Sequence, residues 1–357
     1  MLCLAALVAL SIGLHAQAAQ AQGAPAVPVL RAYVNVVQVP VLVLTERRLR
    51  AEPLAEGQFR MRIDGGPKFS PHRVRQEGLD PIRLILLVDA GPRVTEMLGG
   101  VDEALNGLAK NSLHAQDMVS VGVLRGCQLV QISAVAGRPE GMLRLEQFVH
   151  QELQTAQPVG AGTCAEDGRH ADAIRLALER FADTRSRRVL VLLTDGEDAI
   201  SRKSMLVLHD LAVNGAVSIF ALRERSAEAA RRDTRVLSRD SFAYVSGSTD
   251  GQRDTLVDLT ELTGGMTLET RGHPLEESLE RVLRLVRERY ILEFARPAKI
   301  SAGRHLIEVE VQAKRLYVRS AGVGVPLPDP AAEADPNRVP SDRSAEPPVG
   351  TRRMLPR

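Results

Sequence analysis

Pro81-Ile82-Arg83-Leu84-Ile85-Leu86-Leu87-Val88-Asp89 and Val189-Leu190-Val191-Leu192-Leu193-Thr194-Asp195-Gly196 decide the fold. Each is an apolar run with almost no polar alternation, and each stops at an aspartate. A strand can be apolar at every position only if both faces of its sheet are covered, as in parallel sheets flanked by helices. Further strands are predicted at 118–124, 127–132, 216–222 and 266–268. Between them, helical spacing covers 94–109, 141–153, 170–181, 202–212, 255–262 and 274–289. Strand and helix alternate, which predicts an α/β fold: a doubly wound, mostly parallel sheet in three layers.

Open sheets of this kind place ligands in the crevice beyond the carboxyl ends of their strands. Asp89 and Asp195 end two such strands, and Gly160-Ala161-Gly162-Thr163 leads toward the helix between them. Two carboxylates and a threonine hydroxyl converging there form an oxygen set suited to a hard divalent cation. Thr163 and Asp195 also have structural uses, capping a helix start and stabilising a turn.

The arrangement resembles the von Willebrand factor A domain, a doubly wound fold that grips protein partners through a metal-ion-dependent adhesion site. The wider layout resembles the bacterial exported VWFA-related group, in which this domain sits between β-rich segments. The resemblance covers about residues 30 to 325 and is carried by strand order and by Thr194-Asp195-Gly196. The family's first strand ends in Asp-x-Ser-x-Ser. Here the segment reads Asp89-Ala90-Gly91-Pro92-Arg93, so Gly91 and Arg93 stand where the serines belong. The implied metal set is therefore Asp89, Thr163 and Asp195, with two hydroxyls lost and a permanent cation beside them. Two readings stand. In one, Arg93 pairs with Asp89 or Asp195 and no cofactor is held; in the other, a weak Mg2+ (or Mn2+ or Ca2+) site persists, helped by Glu166, Asp167, Glu197 and Asp198.

Hydrophobic residues at 44% supply a real core, while aromatics at 3% with no tryptophan leave little for base or sugar stacking. A net charge of +2, with arginines interspersed among acids, points away from nucleic acid. Residues 1–18 read as a signal peptide, with an apolar run and the small-x-small pattern Ala16-Gln17-Ala18. The missing Lys or Arg in its first residues suggests a misplaced start codon. The expectation is an exported protein, periplasmic or secreted. No later stretch is long and apolar enough for a membrane span.

Residues 30–78 read as an N-terminal β segment, with Pro40 at an edge or bulge of its first strand. The A-like domain covers 79–289, with a long insertion at 223–252. A C-terminal β segment (290–325) is expected to pack on the N-terminal one. Residues 326–357 hold eight prolines and balanced charge, which reads as a disordered tail. Beyond the signal, Cys127 and Cys164 are both placed near the carboxyl rim; they form a disulfide or remain two buried thiols.

No nucleophile elbow, zinc-protease motif, Walker loop or dinucleotide fingerprint is present, and the histidines are scattered. His170 lies nearest the strand-end face and reads as a helix-surface residue. The sequence thus points to a non-enzymatic module that binds a protein partner through strand-end loops, with Arg93, Asp89, Thr163, Asp195 and Glu197 at the contact. Arg93 suits a partner's carboxylate. The alternatives are a structural subunit of an envelope complex, using another face, or weakly metal-dependent ligand binding.

Overall fold

The computed structural model describes residues 36–46, 49–89, 100–125, 128–131, 134–154, 169–181, 187–195, 200–224, 254–270, 273–297, 305–320 and 347–350. The chain opens with β1 (Val36–Thr45), β2 (Phe59–Ile63) and β3 (Arg73–Gln76). The central sheet follows: β4 (Ile82–Asp89), β5 (Met118–Arg125), β6 (Gln128–Gln131), β7 (Val135–Ala136), β8 (Arg187–Thr194), β9 (Val217–Arg223) and β10 (Thr267–Glu269). Its order is β10-β9-β8-β4-β5-β6, with β7 also on β5. All neighbours are parallel except β6 and β7, which run antiparallel to β5. Winding outward from β4 to one edge, then from β8 to the other, gives the doubly wound order with its switch point between β4 and β8.

Among the described residues, six α-helices cover the two faces: α1 (Val101–Gly107), α2 (Pro139–Gln154), α3 (Arg169–Glu179), α4 (Arg202–Asn214), α5 (Thr255–Leu262) and α6 (Leu275–Arg287). Leu84, Leu86 and Val88 of β4 enter a core shared with α1, α2 and α6. The intervening Ile85 and Leu87 enter a second core with α3, α4 and α5. β8 divides in the same way, Val189, Val191 and Leu193 against Leu190 and Leu192. The central stretches 84–88 and 189–193 are apolar at every position because each side chain finds its own helical layer.

The two β-rich ends unite. β11 (Tyr290–Ala295) and β13 (Leu316–Ser320) both pair antiparallel with β1, β3 pairs with β11, and β12 (Ile307–Val311) pairs with β2. Val37, Val39, Val41 and Val43 of β1 face a third core with Phe59, Met61, Phe294 and Ile307, while Leu42 and Leu44 turn the other way and join the α6 layer. Pairing with β13 begins only at Val41, so Pro40 sits where one side of β1 is open and its missing N–H costs nothing.

Charged groups knit the amino ends of the parallel strands to these β segments. Arg289, between α6 and β11, donates from Nε and Nη2 to Glu77 at 2.9 and 3.0 Å, and from Nη1 to Ser218 of β9. Both Arg289 and Glu77 are buried. Asp117 accepts from the Ile82 and His114 backbone amides at 2.9 and 2.6 Å and also from Arg287. Burial pushes the nearby Arg187 guanidinium down, against the pull of the Glu77 carboxylate. Within the segment read as a loose tail, residues 347–350 are placed, and Val349 bridges in parallel to Ile63.

Candidate functional site

β4 delivers Asp89, and β8 delivers Thr194 and then Asp195, to the carboxyl side of the sheet at the switch point. Val88 lies opposite Leu193, so the next residues, Asp89 and Thr194, emerge side by side. All three are buried, with Asp89 and Thr194 at 0% exposure.

The group that meets them is His170, one residue into α3, and only 1% exposed. Its Nε2 lies 2.9 Å from Asp89 Oδ2 and 3.3 Å from Thr194 Oγ1. An ionised carboxylate only accepts, so the shared nitrogen carries the hydrogen toward Asp89.

His170 is therefore not on the helix surface, and the sequence reading is corrected. The cause is the helical period: His170, Ile174 and Leu178 lie four residues apart on one face, and that face is the one α3 buries. The same apolar face, traced back one turn from Ile174, was the signal that marks this histidine as internal. The exposed side of α3 carries Arg175, Asp172 and Glu179 instead.

This arrangement leaves less of Asp89 for the cation implied by the resemblance. A hard divalent ion takes carboxylate, hydroxyl and water oxygens, whereas one oxygen of Asp89 already faces an imidazole N–H. Among the described residues, no three His, Cys, Asp or Glu side chains are grouped as a metal would require. Gly91 offers no side-chain oxygen. A nucleophile relay does not suit the geometry. Such a relay needs one imidazole nitrogen on the acid and the other on the hydroxyl, and here Asp89 and Thr194 share Nε2.

The base of the insertion lies one strand away. Glu224 N–H donates to the Thr194 carbonyl at 2.9 Å, tying the end of β9 to the end of β8. The buried Arg223 pairs through Nη1 with Asp254, whose other carboxylate oxygen caps α5 by accepting from Leu256 and Val257 amides at 3.1 and 3.2 Å. Arg223 Nε also lies 3.6 Å from Glu269 of β10. One clamp thus fixes both flanks of residues 225–253 beside the crevice. Nothing in the sequence links Arg223 to Asp254, because the partners lie on either side of an aperiodic stretch.

The structure brings Asp89 to the rim with Asp195, and adds His170 and Thr194. Thr163, Gly91, Arg93 and Glu197 lie outside the described residues, as do Cys127 and Cys164, for which a disulfide or two buried thiols were the expectations.

No family model and no curated protein sequence matches the chain. Among solved structures, the conserved hypothetical protein BatB from Bacteroides thetaiotaomicron is similar at 13% identity, covering 57% of this chain and 98% of its own, with a TM-score of 0.38. The SpRpn10 VWA domain is similar at 11% identity over 56% of this chain and 94% of its own, with a TM-score of 0.36. The pilus adhesin SpaC from Lactobacillus rhamnosus GG is similar at 10% identity over 76% of this chain but only 42% of its own, with a TM-score of 0.39. The fold assignment rests on the strand order itself, a doubly wound α/β sheet of the von Willebrand factor A-like or Rossmann-like kind.

Proposed function

We propose that this chain is a non-enzymatic, exported protein-interaction module that binds its partner through the loops beyond β4 and β8, with little or no metal dependence. The observation that carries the reading is the His170 imidazole 2.9 Å from Asp89 at the switch point. It engages one oxygen of that carboxylate from within the chain, which supports a reading with little or no metal dependence. A rigid sheet with both faces covered leaves its rim loops as the adaptable surface, where binding on such scaffolds resides. Arg93, four residues beyond Asp89 in the sequence, offers a permanent, planar cation to a carboxylate on the partner.

The test starts with crosslinking in intact cells that express the full chain, followed by rebinding of the identified partner to purified protein. The expected result is equal affinity with and without EDTA, and loss of binding in Arg93→Glu. A partner that dissociates on chelation would replace this reading with metal-dependent ligand binding. Unchanged affinity in Arg93→Glu would move the interface to another face and favour a structural subunit role.

A further inference from the structure

β2 ends in a tight turn. Asp64 and Gly65 have φ of 51° and 70°, and the Gly66 N–H donates to the Ile63 carbonyl at 2.9 Å. Left-handed backbone at both central residues is the type I′ form that Asp-Gly favours. The turn is pinned from below. Asp64 Oδ1 accepts from the Leu306 amide at 2.9 Å, and Oδ2 lies 2.7 Å from His305 Nδ1, both side chains being buried.

One side of β2 is paired with β12. On the other, Met61 exchanges both backbone bonds with Phe69 at 2.8 Å. Ile63, two residues on, points its carbonyl to that same side, because strand groups alternate. There the Gly350 N–H donates to it at 3.0 Å, and Val349 lies beside Ile63 in parallel. Pro347 is buried at the start of this contact.

The fit depends on two glycines. A Cβ on Gly350 would lie 2.2 Å from the Asp64 carbonyl oxygen and 2.4 Å from the Gly66 nitrogen. A Cβ on Gly66 would lie 2.5 Å from the Gly350 nitrogen. All three obstacles are backbone atoms, two of them on the pinned turn, so they cannot swing aside as a side chain would.

We propose that the outer edge of β2 at Ile63–Gly66 is a peptide-binding site of the strand-addition kind, and that its occupant is this chain's own Pro347-Pro348-Val349-Gly350, seated in cis as a latch. The chemistry selects such a segment. Strand addition asks for an extended backbone with a donor at the contact, and only glycine fits the approach. Two prolines ahead of it preset the extended form and lower the cost of ordering. Seating the segment also covers an edge that would otherwise be open to pairing with another chain.

Hydrogen exchange read by mass spectrometry on the full-length protein tests the latch, with light scattering on the same sample. The Gly350 region should exchange about ten-fold or more slowly than an unfolded segment, in protein of monomeric mass. Gly350→Val should abolish that protection and speed exchange at 60–66, with β4 and β8 unchanged. Gly66→Val should release 347–350 in the same way, from the other side of the contact. Unprotected 347–350 in the wild type, or protection that survives Gly350→Val, would overturn the proposal. Protection confined to a dimeric fraction would overturn the cis seating, since the segment would then come from a second copy.

Discussion

The two ends of the parallel sheet both bury charge, but they bury it differently. At the amino ends, Arg289 makes two parallel contacts to Glu77 and a third to Ser218, and Asp117 serves two amides and Arg287. These partners come from β9, the start of β4, α6, the link between α6 and β11 and the link between β3 and β4, so the network ties separate segments together. At the carboxyl ends, Asp89, His170 and Thr194 meet through a single imidazole nitrogen. The first end spends its charges on many geometrically complementary bonds, which is how a structural junction is held. The second gathers two carboxylates, a hydroxyl and an imidazole at the carboxyl ends of two adjacent strands, β4 and β8. Buried charge therefore does not by itself mark function, since both ends of the sheet hold it.

The comparison fails at once if the junction is expendable. Arg289→Ala leaves the Glu77 carboxylate buried without its guanidinium, and should lower stability by about 3–5 kcal/mol. Urea denaturation read by circular dichroism measures this. Pairing Arg289→Met with Glu77→Met removes both charges and should recover much of the loss, since well-packed apolar replacements of a buried pair are often nearly neutral. A single-variant loss no larger than that of a surface change would mean the junction is not what joins the segments.

At the other end, His170→Ala should cost less, about 1–3 kcal/mol, because one imidazole contact is lost and the Asp89 carboxylate stays buried. Asp89→Asn in the same chain removes the stranded charge and should return part of that loss. The non-additivity of the two changes, in a double-mutant cycle, measures the pair directly. Strictly additive effects would show that His170 and Asp89 do not act together, and would remove the main support for a metal-independent rim.

The sequence made the parallel sheet legible because a strand stretch buried on both faces must be apolar, and Leu84–Val88 of β4 and Val189–Leu193 of β8 are. Pro40 was legible too, since a residue without an N–H has few places in a sheet. His170 was misread because an imidazole on an amphipathic helix is ambiguous until its partner is known, and Asp89 is 81 residues away. The Glu77–Arg289 pair spans 212 residues, beyond any local period. The same holds for Gly66 and Gly350, two ordinary loop glycines until the fold presses their backbones together. Local pattern carries secondary structure and layering. Pairings that close across the fold do not leave a local trace.

The smallest effect sharpens the comparison most, because it lies on the same helix as His170. Arg175 Nη1 lies 2.9 Å from Glu179 Oε1, and Nη2 lies 3.6 Å from Asp172 Oδ1. On paper this is a better-populated ion pair than the imidazole contact one turn away. Its side chains are about half in water, however: 42% for Arg175 and 51% for Glu179. Solvent screens the attraction, and holding two long side chains in register costs entropy, so Arg175→Ala should change stability by only about 0.3–0.5 kcal/mol. The shift should shrink further at high salt, as expected for an exposed pair. Measured beside His170→Ala, this change places an exposed ion pair and a buried carboxylate–imidazole contact on one eleven-residue helix, Arg169–Glu179. If the two cost the same, burial is not what gives the rim cluster its weight, and the distinction between the two ends of the sheet would rest on geometry alone.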